Sequence, residues 1–415
     1  MSNQNPARWT PMLWPPEWTS PDALQLVAGS PIDCLVLPSD SDVSLWKPLK
    51  SEAQRVALSI LSAAPHPVRS IEDGVWPKVA TRGDSDAVDA GPTGLPWIDS
   101  NGWRIQLAQA LFPDETPWVR FDPPGMKQVV RTSAYEVAIA DCEAYGARWV
   151  ISLDRGLRAG LIQSDGAARM TWQGILGTLS FFRQQAPAPG MHCPGVMGAL
   201  SDFSGDNEVL SHEFLNLIAR EYVAVRILPK TRPVPSLDGL RMVVYLDRQP
   251  LQPAWRTALV EFVRSGGALM ADRLADLALG TPIDPVPGLE YELLSLGRGR
   301  IAISRDGFED PWRLAADSHV LLGRSNDLLR QSNAGSMSVA FKGGSRGSAR
   351  LHLVNYSGRP GLNPVTLTLL DRYRQARFRS LEKPESMRIP VAREYGRSAL
   401  YLPPFAVCAT LDLEA

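Results

Sequence analysis

The sequence predicts an α/β protein in three parts: a barrel-like N-terminal region, a parallel sheet covered by helices, and a small antiparallel β-sandwich. Two observations predict this order. Residues 195–273 alternate short apolar runs with single amphipathic helices, which is typical of a parallel sheet with helices on both faces. From Met337 onward, apolar residues recur at every second position between turns rich in Gly, Pro and Asn, which favours antiparallel strands.

The middle region gives the clearest elements. Helices are expected from Glu208 and from Pro253, because apolar side chains follow each start at the spacing of one helical face. Gly266 and Gly267 end the second helix. The predicted strands are residues 195–200, 223–228, 242–246 and 268–271, with a further strand at residues 299–304 that can return to the same sheet.

The N-terminal region repeats a strand that ends in an acidic or polar turn and is usually followed by a helix. The predicted strands are residues 9–14, 33–37, 74–80, 95–98, 117–121 and 148–153. The predicted helices are residues 52–62, 103–111, 133–145 and 169–183. A complete eight-stranded barrel takes about 250 residues. Because this region ends near residue 185, we expect a shortened or degenerate TIM-type barrel.

Two segments rich in proline and glycine mark the expected domain boundaries. Residues 186–194 cannot continue a helix or join a central strand, and residues 280–288 have a similar composition. The second boundary is placed after the strand that can return to the middle sheet. We therefore predict domains at residues 1–190, 191–310 and 311–415.

Composition excludes several classes of protein. Of the 415 residues, 44% are hydrophobic and 21% charged, as in ordinary globular proteins. A formal net charge of -1 offers no basic surface for nucleic acid, and no apolar run is long enough for a membrane span. The first six residues have no signal-peptide character, so we expect a cytoplasmic protein, although export of a trimmed precursor stays open.

No cofactor or metal site is expected. The loop at residues 201–207 has two aspartates and no lysine, so it disfavours a nucleotide phosphate and more readily caps a helix. The four cysteines are scattered, which is neither a disulfide framework nor a zinc pattern. His192 and Cys193 are adjacent but lack the two further ligands of a closed metal site.

Three segments carry a family resemblance. They are Ser201 to Asn207 after a strand, Phe262 to Leu269 ahead of a strand, and His352 to Ser357 in the last region. With the order of the three parts, they resemble the family 42 β-galactosidases and related barrel glycosidases. The resemblance implies an amidotransferase-like middle domain that serves structure and subunit contact, and hence a homo-oligomer. Residues 246–250 lack the cysteine that amidotransferase chemistry requires.

The resemblance also implies two catalytic glutamates at strand ends, the first after an asparagine. No Asn-Glu pair precedes residue 190, and aspartates follow the predicted strands instead. Asp99, Asp122 and Asp154 are the catalytic candidates, because barrel sites lie at the carboxyl ends of the strands. Each also has a structural alternative: Asp99 or Asn101 can cap a helix, Asp122 can serve a turn, and Asp154 can pair with an arginine.

Tryptophan supplies the candidates for sugar binding. Nine of the twelve tryptophans precede residue 150, and indole faces can stack on the C–H faces of sugars. Filling of a barrel core is the alternative for each of them. The substrate-binding candidates near loops are Trp14, Trp97, Trp103, Asp40 and Asn101.

Two functions stay open at this point. One is hydrolysis of glycosidic bonds at the mouth of the shortened barrel, with aspartates as acid and as nucleophile or base. The other is a glycosidase-like protein that has lost the reaction and binds carbohydrate or assembles into oligomers. The partner expected under both is a small carbohydrate or an oligosaccharide.

Overall fold

The computed structural model shows three successive groups of strands and helices, each with its own apolar core. No helix in the described part of the chain is both long and apolar enough to cross a membrane. The structure describes residues 5–37, 47–56, 58–81, 96–125, 130–185, 191–344 and 347–415.

The N-terminal region contains eight strands and five α-helices within the described ranges. The strands are β1 Pro11–Leu13, β2 Cys34–Val36, β3 Ser59–Leu61, β4 Val68–Ile71, β5 Lys78–Val79, β6 Ile98–Asp99, β7 Thr116–Val119 and β8 Arg148–Trp149. The helices are α1 Lys47–Arg55, α2 Gly102–Leu111, α3 Thr132–Tyr145, α4 Arg155–Ile162 and α5 Gly166–Arg183. Local signals set several ends: aspartates cap α4 and α5, and α3 ends at Gly146 in the left-handed conformation that glycine tolerates.

Six of these strands run parallel around one apolar cluster. One ladder has the order β1-β2-β3 and the other the order β4-β7-β8, and a parallel bridge between Met12 and Ile151 joins them. The cluster between them contains Cys34, Val36, Trp118 and Val150. In the described residues no ladder joins β3 with β4, so the parallel strands form an open arrangement.

Two predictions for the N-terminal region are wrong, one about strand pairing and one about the end of a helix. The strands predicted at residues 74–80 and 95–98 form β5 and β6, which pair with each other antiparallel and lie outside the parallel ladders. The helix predicted over residues 52–62 ends at Arg55, and its last residues form β3. Its apolar residues continue without a break into the strand, so the sequence pattern gives no sign of the change.

The middle region is one seven-stranded sheet with three α-helices. Its strands are β9 Met197–Ser201, β10 Val225–Pro229, β11 Met242–Tyr245, β12 Ala268–Asp272, β13 Thr281–Pro282, β14 Tyr291–Leu296 and β15 Gly299–Ser304. Its helices are α6 Glu208–Arg220, α7 Pro253–Arg264 and α8 Pro311–Leu322. The predicted strands and helices are confirmed, including the return of residues 299–304 beside β12.

The strand order of this sheet is β10-β9-β11-β12-β15-β14-β13. Its five parallel strands are doubly wound, with the change of direction between β9 and β11. Helix α8 packs against α6 through Leu314, Ala315 and Leu321, which share a core with Phe214. The core of the middle region therefore extends beyond residue 310.

The C-terminal region is two antiparallel sheets that face each other across one apolar core. One sheet has the order β16-β19-β23-β22 and the other the order β17-β18-β24-β20-β21. The strands are β16 Leu329–Ser332, β17 Met337–Gly343, β18 Ala349–Asn355, β19 Val365–Leu369, β20 Gln375–Ser380, β21 Met387–Ile389, β22 Ala392–Glu394, β23 Arg397–Leu402 and β24 Cys408–Glu414. Alternating buried residues in β19 and β20 show the two-residue period that the sequence predicted.

A buried carboxylate joins the N-terminal and C-terminal regions. Asp141 on α3 is fully buried, and its oxygens accept hydrogen bonds from Ser100 Oγ at 2.7 Å and from Tyr356 Oη at 2.6 Å. The backbone and the side chain of Asn101 also donate to it, at 2.9 and 2.8 Å. Burial raises the pKa of Asp141 and these hydrogen bonds oppose the rise, so all four donors favour its ionised form.

A buried histidine joins the middle and C-terminal regions. His319 on α8 lies between two carboxylates, with Nδ1 3.2 Å from Glu221 Oε2 and Nε2 2.9 Å from Asp327 Oδ1. These hydrogen bonds raise the pKa of His319 to about 9 against the opposing effect of burial. The ring is therefore an imidazolium at neutral pH, with both N–H groups satisfied.

Tyr356→Phe removes the hydroxyl that donates to Asp141 and keeps the ring. We expect the free energy of unfolding to fall by about 1–3 kcal/mol, because a buried carboxylate loses one of its donors. Tyr395→Phe, at a fully exposed tyrosine, should change it by less than about 0.5 kcal/mol. Urea unfolding followed by tryptophan fluorescence measures both variants, and equal effects would contradict the role assigned to Asp141.

His319 makes part of the stability depend on pH. Because its pKa is about 9 in the folded protein and about 6.5 when unfolded, its contribution is complete below about pH 6.5. It declines as the pH rises and is lost above about pH 9. Urea unfolding at several pH values gives the free energy of unfolding of the wild type and of His319→Gln. The difference between the two proteins should shrink as the pH rises. A difference that stays constant between about pH 6.5 and 9 would refute it.

Candidate functional site

The carboxyl ends of β4, β7 and β8 lie side by side and carry charged side chains. Ile71 pairs with Val119, and Val119 pairs with Trp149, so the three strands end at one level. One residue further, Glu72 lies beside Arg120, with Oε2 3.5 Å from Nη1. This ion pair is partly exposed, so its charges remain accessible from solvent.

Asp122 lies two residues beyond Arg120 on the same edge. It is exposed, and its Oδ1 accepts a hydrogen bond of 2.7 Å from Ser152 Oγ, which follows β8. Both residues line an open cavity of about 1000 Å³. Leu13 from the end of β1 contributes to the same cavity, and polar side chains of α4 and the loop after it complete the wall.

Asp154 lines this cavity but is occupied by structural contacts. Its Oδ1 accepts the backbone N–H of Leu157 at 3.0 Å and so caps α4. Its Oδ2 accepts the hydroxyl of Tyr135 at 2.8 Å, and that hydroxyl accepts the backbone N–H of Asp154. Burial raises the pKa of Tyr135, so its hydroxyl stays protonated as a donor. Both oxygens of Asp154 are therefore engaged.

A second cavity of about 420 Å³ lies against the inner side of the parallel strands. Glu72, Arg120 and Trp118 line it, together with Glu115 at the start of β7. Trp118 and Arg120 are two residues apart at the end of β7, and both face this cavity. Trp118 is 1% exposed, and its Nε1 has no hydrogen-bond partner in the described part of the structure. The indole is therefore buried behind the charged edge, and the accessible groups on this face are the carboxylates and Arg120.

Glu72 is a candidate that sequence reasoning missed. It directly follows β4, a four-residue strand that lies between a cis proline and a polar loop. Residues 68–71 show no alternation of apolar and polar side chains, and four residues are too few to separate a strand from a loop. Glu72 has the acid type that the resemblance implies, without a preceding asparagine.

None of the three predicted tryptophans lines the two cavities at this edge. Trp14 is completely buried, with its Nε1 donating to the backbone carbonyl of Trp18, so it offers no face to a sugar. Trp97 and Trp103 pack with the apolar core of the middle region. The structure therefore does not bring these tryptophans together with Asp122 and Asp154.

The remaining predicted residues also have other positions. Asn101 is fully buried within the Asp141 network, and its side chain exchanges two hydrogen bonds with the backbone of Val75. Asp99 accepts a hydrogen bond from Trp97 Nε1 at 3.2 Å and lies 4.0 Å from Lys78 Nζ, on the β5–β6 hairpin. Asp40 lies outside the described residues.

A second polar cluster lies where the middle sheet reverses direction. Asp247 accepts hydrogen bonds from Ser201 Oγ at 2.5 Å and Asn207 Nδ2 at 2.6 Å, and it pairs with Lys230 Nζ at 2.5 Å. The loop at residues 201–207 was expected to cap a helix, but Asn207, which precedes α6, makes no side-chain cap hydrogen bond and donates to Asp247 instead. These groups satisfy one another's hydrogen bonds and charges, so the cluster stabilises this edge of the sheet. The described residues contain no group of three or more potential metal ligands.

Comparison with known proteins found similarity among solved structures. No protein-family model and no curated protein sequence matches this chain. Similar structures are the α-L-fucosidase isoenzyme 2 from Paenibacillus thiaminolyticus, a β-galactosidase from Bacillus circulans sp. alkalophilus and a family 42 β-galactosidase from G. stearothermophilus. Their sequence identities are 12%, 10% and 9%, and their TM-scores are 0.48, 0.45 and 0.46.

These structures cover 72%, 90% and 89% of this chain, and the chain spans only 60%, 66% and 66% of theirs. Two of the three are β-galactosidases, one of them of family 42, the family that the sequence resembles. Because every TM-score is below 0.5, these superpositions carry no argument about function. The chemistry has to be argued from this chain's own side chains.

Asp154 and Asp122 should differ sharply in their effect on stability. Asp154→Ala removes the cap of α4 and the partner of Tyr135, so we expect the free energy of unfolding to fall by about 1–2 kcal/mol. Asp122→Ala removes an exposed carboxylate and should change it by less than about 0.5 kcal/mol. Urea unfolding measures both. A loss for Asp122→Ala as large as that for Asp154→Ala would show that Asp122 also has a structural duty.

Proposed function

We propose that this protein is glycosidase-like and binds carbohydrate at the carboxyl ends of β4, β7 and β8. In this proposal the N-terminal region, residues 1–190, is a shortened form of the eight-stranded barrel. Residues 191–310 form the core of an amidotransferase-like domain without the catalytic cysteine, which serves assembly into a homo-oligomer. Residues 311–415 hold the β-sandwich, although helix α8 packs with the middle region.

The observation that carries the proposal is the grouping of Glu72, Arg120 and Asp122 at one exposed strand edge. Carboxylates accept hydrogen bonds from sugar hydroxyls, and a guanidinium group donates to them. Leu13 and Pro123 give the adjacent cavity apolar surface against which C–H groups can pack.

Binding is better supported than hydrolysis. Glycoside hydrolysis requires two carboxylates that flank the bond, one to protonate the leaving oxygen and one to act as nucleophile or base. Both oxygens of Asp154 already accept hydrogen bonds, which leaves Asp122 and Glu72 as the accessible carboxylates. Their position on neighbouring strands is the reason to keep hydrolysis as the second candidate.

Both candidates are tested by one experiment. Calorimetric binding and hydrolysis are measured with a panel of aryl glycosides and oligosaccharides, on the wild type, Asp122→Asn and Glu72→Gln. We expect both variants to weaken binding of a sugar by about tenfold or more, since each loses a charge-assisted hydrogen bond. Asp306→Asn, at an exposed position in the middle region, is the matched control and should leave binding unchanged.

The outcomes separate the two functions. Turnover by the wild type that collapses in a variant which still binds sugar would establish a glycosidase and identify a catalytic carboxylate. Binding without turnover supports the carbohydrate-binding protein. Failure of the whole panel to bind, or binding that both variants retain in full, would refute the proposed site.

A further inference from the structure

An internal cavity lies where the three regions meet, away from the strand edge described above. Two cavities of about 70 and 50 Å³ lie there and share part of their lining, so we describe them as two lobes of one cavity. Trp103 and Gln106 from α2, Tyr145 from α3, Tyr222 from the end of α6 and Ser338 from β17 line both lobes. Because every region contributes side chains to this wall, an occupant would contact all three at once.

The smaller lobe contains an arginine whose hydrogen bonds are incomplete. The guanidinium group of Arg220 lies 3.4 Å from the ring centroid of Trp97, and its Nη2 donates to Asn216 Oδ1 at 3.2 Å. Its Nε and Nη1 are buried and have no hydrogen-bond partner in the described structure. A buried donor without an acceptor is unfavourable by about 1–3 kcal/mol, and more when the group is charged.

The charge of Arg220 is only partly compensated by the protein. Burial lowers its pKa, and the nearby carboxylates of Glu213 and Asp99 offset that effect in part. Glu213 accepts hydrogen bonds from Asn216, and Asp99 from the indole of Trp97. An anion that accepted hydrogen bonds from Nε and Nη1 of Arg220 would neutralise its charge and satisfy both nitrogens.

The larger lobe is mostly apolar but holds a second unsatisfied side chain. Leu215, Ile218 and Val339 contribute apolar surface to its wall. The amide oxygen and nitrogen of Gln331 are both buried there without a hydrogen-bond partner in the described residues. One lobe therefore holds a cation, and the other holds an apolar wall and a neutral amide.

We propose that this cavity binds a small monocarboxylate with a flat apolar body. Its carboxylate would accept hydrogen bonds from Arg220, because guanidinium and carboxylate groups match in geometry. The body would pack against Trp103 and the apolar wall, and a polar group at its far end would meet Gln331. The two lobes together are comparable to a cavity of about 150 Å³ that holds benzene, so the occupant has the size of one aromatic ring.

The binding would stabilise the arrangement of the three regions. A ligand that binds only when all three contribute their walls raises stability by mass action, without any new contact between the regions themselves. The proposal concerns a site separate from the carbohydrate edge and does not depend on it. The class of ligand is a small aromatic carboxylate.

The probe is 4-fluorobenzoate, followed by ¹⁹F NMR line broadening and by the melting temperature of the full chain. We expect saturable binding to the wild type and a melting temperature that rises with ligand concentration. Arg220→Gln should weaken binding by about tenfold or more, because the charge-assisted hydrogen bonds are lost. Arg264→Gln, at an exposed arginine of α7, is the matched control and should bind as the wild type does.

Two further measurements keep the test decisive if Arg220→Gln fails to fold. The neutral analogue 4-fluorobenzamide should bind the wild type at least about tenfold more weakly than the acid. Gln331→Leu should reduce the preference for 4-hydroxybenzoate over benzoate, as it removes the amide at the far end. Absence of binding at millimolar concentration would show that solvent alone fills the cavity. Equal affinity for the acid and the amide, or undiminished binding by Arg220→Gln, would also overturn the proposal.

Discussion

The docking of the regions depends on one buried carboxylate, that of Asp141. A charge without partners in such a place would be strongly destabilising, so the fold has to deliver donors to it. Three come from Ser100 and Asn101, just before α2, and one comes from Tyr356 after the end of β18. The carboxylate therefore fixes the position of the hairpin, of α2 and of the C-terminal sheet relative to α3. An arrangement that withdrew Tyr356 or Asn101 would leave the buried carboxylate short of donors.

The same physical rule operates between the middle and C-terminal regions. There the buried charge is the imidazolium of His319, and its partners come from the end of α6 and from the turn before β16. Buried polar contacts of this kind add little net stability over apolar packing, but an unmatched arrangement costs several kcal/mol. They lie between the regions that form the walls of the two-lobed cavity. Arg220 differs from Asp141 and His319 because its Nε and Nη1 have no acceptor in the described structure.

The sequence predicted elements well where a periodic pattern is long. The strands and helices between Met197 and Asp272 repeat a strong alternation of apolar runs and amphipathic helices, and nearly every one was found. Strands β3 and β4 have three and four residues, and such runs look alike in a helix, a strand or a loop. Strand pairing was also not predictable from the sequence. Strands were expected near β5 and β6, but their antiparallel pairing depends on contacts between residues far apart in the chain. For Trp14 the sequence left sugar binding and core filling open, and the structure shows that it is buried.

The candidate site shows why strand-end aspartates cannot be ranked from their position alone. No helix begins directly after Asp122, so no helix takes its carboxylate as a cap, and it remains exposed. Asp154 is followed by a helix that begins at once and takes one of its oxygens as a cap. A carboxylate can serve chemistry only if the fold does not already use it. At this edge Asp122 meets that condition and Asp154 does not, because both oxygens of Asp154 already accept hydrogen bonds from the protein.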